Sequence, residues 1–218
     1  MEDQRTPCLW FPIPARGKGS DFFLVHNWEL ARYSHDDFSK PVQGSEIKLQ
    51  VEKELDNDNF SFVSGDIHPD GQTLVLESED HVSFQKSATT YVFELVKSRN
   101  QELKPSCRLE ADFCQRFLSI SPATKNINFL HRNSWLSSLS LRDLNNQSPN
   151  YTYSQHLFVP NEFVASRNGS EAHFLATATD NIIFCLYDKL VIVKNWSRFI
   201  DRRECWIDDY RITEKGGS

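Results

Sequence analysis

Short apolar bursts of period two, separated by turn-forming residues, restrict the fold of this chain more than any other feature. Ile47-Lys48-Leu49-Gln50-Val51 puts Ile47, Leu49 and Val51 on one face, as a half-buried strand requires. Asp21-Phe22-Phe23-Leu24-Val25-His26, Phe60-Ser61-Phe62-Val63, Leu74-Val75-Leu76, His81-Val82-Ser83-Phe84 and Tyr91-Val92-Phe93-Glu94-Leu95 are further bursts of strand length. Pro69-Asp70-Gly71 supplies a turn, with Pro presetting one φ and Gly admitting a positive one. No long helical stripe occurs before residue 195, so the pattern reads as all-β.

Self-comparison adds an internal repeat. His68-Pro69-Asp70-Gly71-Gln72-Thr73-Leu74-Val75-Leu76 aligns with Ser121-Pro122-Ala123-Thr124-Lys125-Asn126-Ile127-Asn128-Phe129, a shift of 53 positions (69 to 122). An apolar strand precedes each Pro-centred turn (Phe62-Val63 and Phe117-Leu118), and an alternating strand follows it. A looser third copy runs through Phe163-Val164, Asn168-Gly169, Phe174-Leu175, Asn181 to Leu186 and Leu190-Val191-Ile192-Val193. One such unit cannot bury both its faces, so neighbours must stack, which is the physical logic of a β-propeller. The expected fold is therefore a partial or open propeller-like array of about four antiparallel blades, with a β-sandwich as the alternative.

Three segments follow from this reading: an N-terminal extension over 1–20, the propeller-like domain over 21–195, and a tail over 196–218. In the tail, Trp196, Phe199, Ile200, Arg203, Trp206, Ile207 and Tyr210 fall three and four apart, which predicts a short helix. Asn195 or Ser197 would cap it, and its apolar face would lie across the last blade or dock on a partner.

Composition limits the partners. The 218 residues carry a net charge of −6, with acids and bases interspersed, and 12% are aromatic. Such a chain is too aromatic for a solvated, unfolded segment and too acidic for a nucleic-acid platform. Trp10, Trp28, Trp135, Trp196 and Trp206 are expected to pack between sheets. The start, Met1-Glu2-Asp3-Gln4-Arg5, lacks the apolar core of a signal peptide, and Ile182 to Tyr187 is far too short to span a bilayer. The expectation is a cytoplasmic protein that meets neither membrane nor nucleic acid.

No residue pattern encodes a chemistry. The seven His and five Cys include no Cys-x-x-Cys, no His-Glu-x-x-His and no zinc spacing between Cys107 and Cys114. Cys114 and Cys185 read as small hydrophobes in apolar strands. His26, His68, His81, His131, His156 and His173 are scattered and read as structural. His35-Asp36-Asp37 reads as a solvated turn, because adjacent strand positions face opposite ways. There is no nucleophile elbow, and Arg16-Gly17-Lys18-Gly19-Ser20, with Pro12 and Pro14 before it, is a basic turn and not a phosphate loop. No catalytic, cofactor-binding or metal-ligating residue is assigned, and no cofactor is expected.

The sequence resembles the C-terminal WD-repeat, β-propeller region of fungal NACHT (STAND-type) signalling proteins. The segments that carry the resemblance are Asp21 to Val25, Asp66 to Leu74, Phe117 to Pro122, Ser134 to Ser138, His156 to Val164, Asn181 to Phe184 and Leu190 to Lys194. It lacks the Trp-Asp dipeptide of typical blades and any Walker motif of the NTPase domain. A closed seven-bladed ring needs about 300 residues, so the resemblance implies a stand-alone fragment with no catalytic residues to inherit. What it implies is a non-catalytic protein–protein interaction module, bound to a protein partner or to itself through exposed blade edges. The alternative is a small ligand-binding or enzymatic all-β protein, an accessory of a metabolic pathway, with a loop-built pocket. Convergence of His68, His131 and His173 would mark such a pocket.

Overall fold

The computed structural model describes residues 8–13, 21–51, 60–80, 88–97, 101–110, 113–142, 150–160, 173–176, 181–186, 189–194, 196, 201–208 and 211–214. Among them the architecture is all-β, and the chain divides into two compact units, Met1–Arg108 and Leu109–Ser218.

The first unit contains two sheets. One has the order β1 (Leu9–Pro12), β2 (Phe22–His26), β3 (Glu29–Tyr33), β4 (Ile47–Leu49) and β8 (Glu102–Leu103). Its β1 comes from the stretch that the sequence sets apart as an extension, and it pairs antiparallel with β2 from Leu9↔Val25 to Pro12↔Phe22. The β2–β3 turn is Asn27-Trp28, both at positive φ (47° and 65°), the geometry of a two-residue hairpin whose twist matches its strands. Asn tolerates that region; Trp28 is held there by its ring against Phe62, centroids 4.5 Å apart. Strand β8 joins β4 in parallel.

The other sheet of this unit is the meander β5 (Phe60–Ile67), β6 (Thr73–Asp80), β7 (Ala88–Glu94), with β9 (Cys107–Leu109) beside β7. Leu74 and Leu76 lie opposite Phe93 and Tyr91, and these four pack with Phe11, Val25, Leu30, Leu49, Phe62 and Leu103 in one core. Val75 and Val92, on the other face, are also buried. Each large apolar side chain so buried contributes roughly 1.5–3 kcal/mol.

The second unit is built on β10 (Cys114–Ile120), β11 (Asn126–His131), β12 (Trp135–Ser140) and β13 (Asn150–Phe158), paired antiparallel in order. A three-stranded antiparallel sheet, β14 (His173–Ala176), β15 (Ile182–Leu186) and β16 (Lys189–Val193), contributes Ile182 and Phe184 to a core with Leu130, Leu136, Val159 and Trp196. The other face of β11 carries an aromatic cluster, in which His131 stacks on Tyr153 at 5.4 Å and Phe113 meets Phe129 at 5.2 Å.

The internal repeat is visible in the backbone. In one copy the His68 amide donates to the Thr73 carbonyl and the Leu95 amide to the Gln72 carbonyl, both at 2.8–2.9 Å. In the other, Ser121 donates to Asn126 and Leu141 to Lys125, at the same distances. The side chains at matching positions share a fate: Ile67 and Ile120, Leu74 and Ile127, Leu76 and Phe129 are all buried. The third copy is in part outside the described residues (Phe163, Val164, Asn168 and Gly169), and its remainder forms β14, β15 and β16.

The expected C-terminal helix is corrected. Asp201–Asp208 and Arg211–Glu214 are strands β17 and β18, with β17 paired to β13 from Asn150↔Trp206 to Gln155↔Asp201 and β18 folded back on β17. A spacing of three and four records side-chain order only. It cannot register that the outer edge of β13 offers a row of amides and carbonyls, and a strand satisfies them where a helix would not. Trp196, expected on the helix face, is instead buried beside His156, ring edge to ring face at 4.9 Å.

Two glycines separate two mechanisms of destabilisation. A Cβ on Gly65 would stand 2.6 Å from the Val75 carbonyl oxygen and 2.8 Å from Leu76 Cδ2, whereas one on Gly71 meets only Ile13 Cγ2 at 3.9 Å but sits at φ +69°. Gly65→Ala is expected to cost about 1–3 kcal/mol by overpacking, and Gly71→Ala about 1 kcal/mol by backbone strain. Urea denaturation of both variants checks the order; Gly71→Ala as the more damaging would contradict it.

Candidate interaction edge

The third strand of the small sheet, β16, has the most unusual surface chemistry. Alternation in β15 sends Ile182 and Phe184 into the core and leaves Ile183 and Cys185 half-buried on the opposite face. The register Ile182↔Val193, Ile183↔Ile192, Phe184↔Val191 and Cys185↔Leu190 then fixes β16 beside it. Val191 and Val193 lie on the core side, and Leu190 and Ile192 on the outer side. Leu190, Val191 and Ile192 remain 61%, 39% and 51% exposed. Among the described residues no strand pairs with the far side of β16. Consecutive exposed apolar residues on an open edge are what soluble proteins ordinarily avoid. Lys189 and Lys194 bracket the run in the sequence.

The polar candidates whose side chains are described each have a partner close at hand. His68 is buried at the head of the β5–β6 turn, its Nδ1 2.9 Å from the Asp70 carboxylate, which also accepts the Gln72 amide at 2.9 Å. Nδ1 of buried His131 lies 2.5 Å from the Asn133 side-chain oxygen in the β11–β12 turn. His156 is 2.8 Å from the Ser138 hydroxyl through Nε2. His173 enters the backbone ladder opposite Cys185. His35 and Asp36 form an exposed pair at 3.4 Å, while Asp37 caps its own turn by accepting the Ser39 amide and hydroxyl. His81, Arg16 to Ser20 and the Trp206 side chain lie outside the described residues. Among the described residues, no three His, Cys, Asp or Glu side chains are grouped to hold a metal ion. No helix among them is long and apolar enough to cross a membrane.

One pair of reactive groups escapes a motif search. Cys8 Sγ stands 3.2 Å from His26 Nδ1, brought there by the β1–β2 ladder across eighteen positions of sequence. Neither residue has a sequence neighbour that signals the other; only the register of two short strands does.

Electrostatics at the rim of the first sheet centre on Asp21 and Arg32. The guanidinium donates through Nε at 2.7 Å and through a second nitrogen to the same carboxylate oxygen. That hydrogen bond, with a smaller contribution from the charge of Arg32, holds the Asp21 pKa below the ordinary aspartate value. A depressed folded pKa contributes stability above the unfolded pKa that disappears as pH falls through the folded one. NMR titration of the Asp21 carboxyl carbon is expected to give a midpoint below the ordinary value, and Arg32→Met to raise it toward that value. An unchanged midpoint in the variant would remove Arg32 as the cause.

No family model matches the chain, and no curated protein matches it. Among solved structures it is similar to prolyl oligopeptidase B from Galerina marginata, bound to a 35mer hydrolysis and macrocyclization substrate, with 10% identity and a TM-score of 0.42. The match covers 94% of this chain and 38% of that one, so the chain spans well under half the length of that protein. At this level of similarity neither fold nor activity transfers.

Proposed function

We propose that the chain is a non-catalytic protein–protein interaction module, an open array of blade-like sheets that takes up an extended partner segment along β16. The observation that carries the reading is the exposed apolar run Leu190-Val191-Ile192 on an open sheet edge. Main-chain groups along such an edge bind an added strand, and the side chains on each face give the selectivity. The shared turn closures of the two repeat copies support the blade-like reading.

Charge selects the occupant. Two copies of β16 paired antiparallel would set Lys189 against Lys194, and paired in parallel they would set like lysines side by side. Like charges directly opposed destabilise a strand pair. The fitting occupant is an extended apolar segment with Asp or Glu at its ends, supplied by a different protein.

The alternative, a ligand-binding or enzymatic protein, is favoured by one observation, the Cys8–His26 pair taken up below.

A short synthetic peptide of alternating valine and threonine, with glutamate at each end, tests the interaction reading against the whole chain. Binding by this peptide, and not by its lysine-ended counterpart, is expected. The double variant Leu190→Glu, Ile192→Glu places acids at already exposed positions, so its melting temperature should hold while affinity falls about tenfold or more. Equal binding of both peptides, or unchanged affinity in the variant, overturns the proposal. Concentration-dependent dimers in sedimentation that disappear in the variant would assign the edge to a second copy instead.

A further inference from the structure

The outer face of the first sheet holds an arrangement that the interaction reading does not use. Cys8 is exposed, and its Sγ lies 3.2 Å from His26 Nδ1. In the ladder His26 is opposite Glu29, and Glu29 is opposite Lys48, so thiol, imidazole and carboxylate occupy one cross-strand row. Two residues after Cys8, within β1, stands Trp10, 49% exposed, with its ring 5.6 Å from Tyr33.

We propose that Cys8 is a modification site: a thiol activated by His26 that reacts with soft electrophiles carrying a flat apolar body, which Trp10 receives. A thiolate is the nucleophilic form of cysteine, and a neighbouring base with a third group behind it is the general arrangement that generates one. With an aromatic disulfide as the electrophile, the Sγ–H proton passes to His26 Nδ1 and the thiolate attacks one sulfur of the reagent. The reagent's S–S bond breaks as the Cys8 Sγ–S bond forms. The departing aromatic thiolate takes the proton from His26, so the chain gains a mixed disulfide and the reagent loses one thiol.

The other described cysteines are less exposed. Cys107 and Cys114 are buried, and Cys185 is half-buried within β15. Exposure and an adjacent imidazole coincide at Cys8.

The test treats the folded chain with a pyridyl disulfide at neutral pH, following pyridinethione release and mapping the adduct by mass spectrometry. The expected first adduct is at Cys8, forming about tenfold or more faster than at Cys8 in the urea-unfolded chain. His26→Gln should remove that advantage at unchanged melting temperature, and added free imidazole should restore part of it. Trp10→Ala should slow the pyridyl reagent more than it slows glutathione disulfide. Reaction first at Cys185, a native rate in His26→Gln, or equal slowing of the two reagents in Trp10→Ala overturns the proposal.

Discussion

A strand whose two faces are both removed from water needs an apolar layer on each side and a hydrogen-bond partner along each edge. Strands β6, β7, β11 and β12 have buried residues on both faces, from Leu74 to Ser78, Thr89 to Phe93, Ile127 to His131 and Leu136 to Leu139. The other elements meet that demand. In the first unit Phe11, Val25, Leu30, Leu49 and Leu103 cover the face formed by Leu74, Leu76, Tyr91 and Phe93. In the second, Ile182, Phe184 and Trp196 cover Leu130 and Leu136. Two polar side chains carried into these layers are bonded there, Asn128 to Ser119 and His156 to Ser138, and an unpaired polar group in such surroundings would cost about 1–3 kcal/mol.

Short connections set the register that makes this burial consistent. A slip of one residue would turn every core side chain outward. The turns resist slippage through residues at positive φ, Asn27, Trp28, Gly71, Lys125 and Ser134, three of which are neither Gly nor Asn. Such residues persist only where the structure around them compensates. The Trp28 carbonyl accepts the Leu49 amide at 2.8 Å, and the Ser134 carbonyl accepts that of Val159 at 2.7 Å. Each turn is thus tied to a strand other than its own pair.

Much of this was legible before any coordinates. The period-two bursts named the strands, and the alignment of Pro69 with Pro122 named two matching hairpins whose closing hydrogen bonds coincide. The tail was misread because Trp196, Phe199, Ile200 and Arg203 satisfy a helical spacing, while the deciding influence was the open edge of β13. Cys8 and His26 were not legible as a pair. Cys8 immediately precedes β1 and His26 ends β2, and metal or nucleophile spacings are recognised between residues close in sequence, which these are not.

The sequence by itself determined the all-β character, the turn positions and the repeat, since alternation and turn chemistry act over a few neighbouring residues. It also determined that the run from Leu190 to Val193 is apolar and bracketed by lysines. Only the tertiary structure decided that Val193 is partly buried while Leu190 and Ile192 face outward on a strand that, among the described residues, has no neighbour on its far side. It likewise decided that β17 pairs along β13 and that Cys8 meets His26. The reason is common to all three: strand pairing joins residues distant in sequence, and its outcome depends on which edges and faces the rest of the chain has left uncovered.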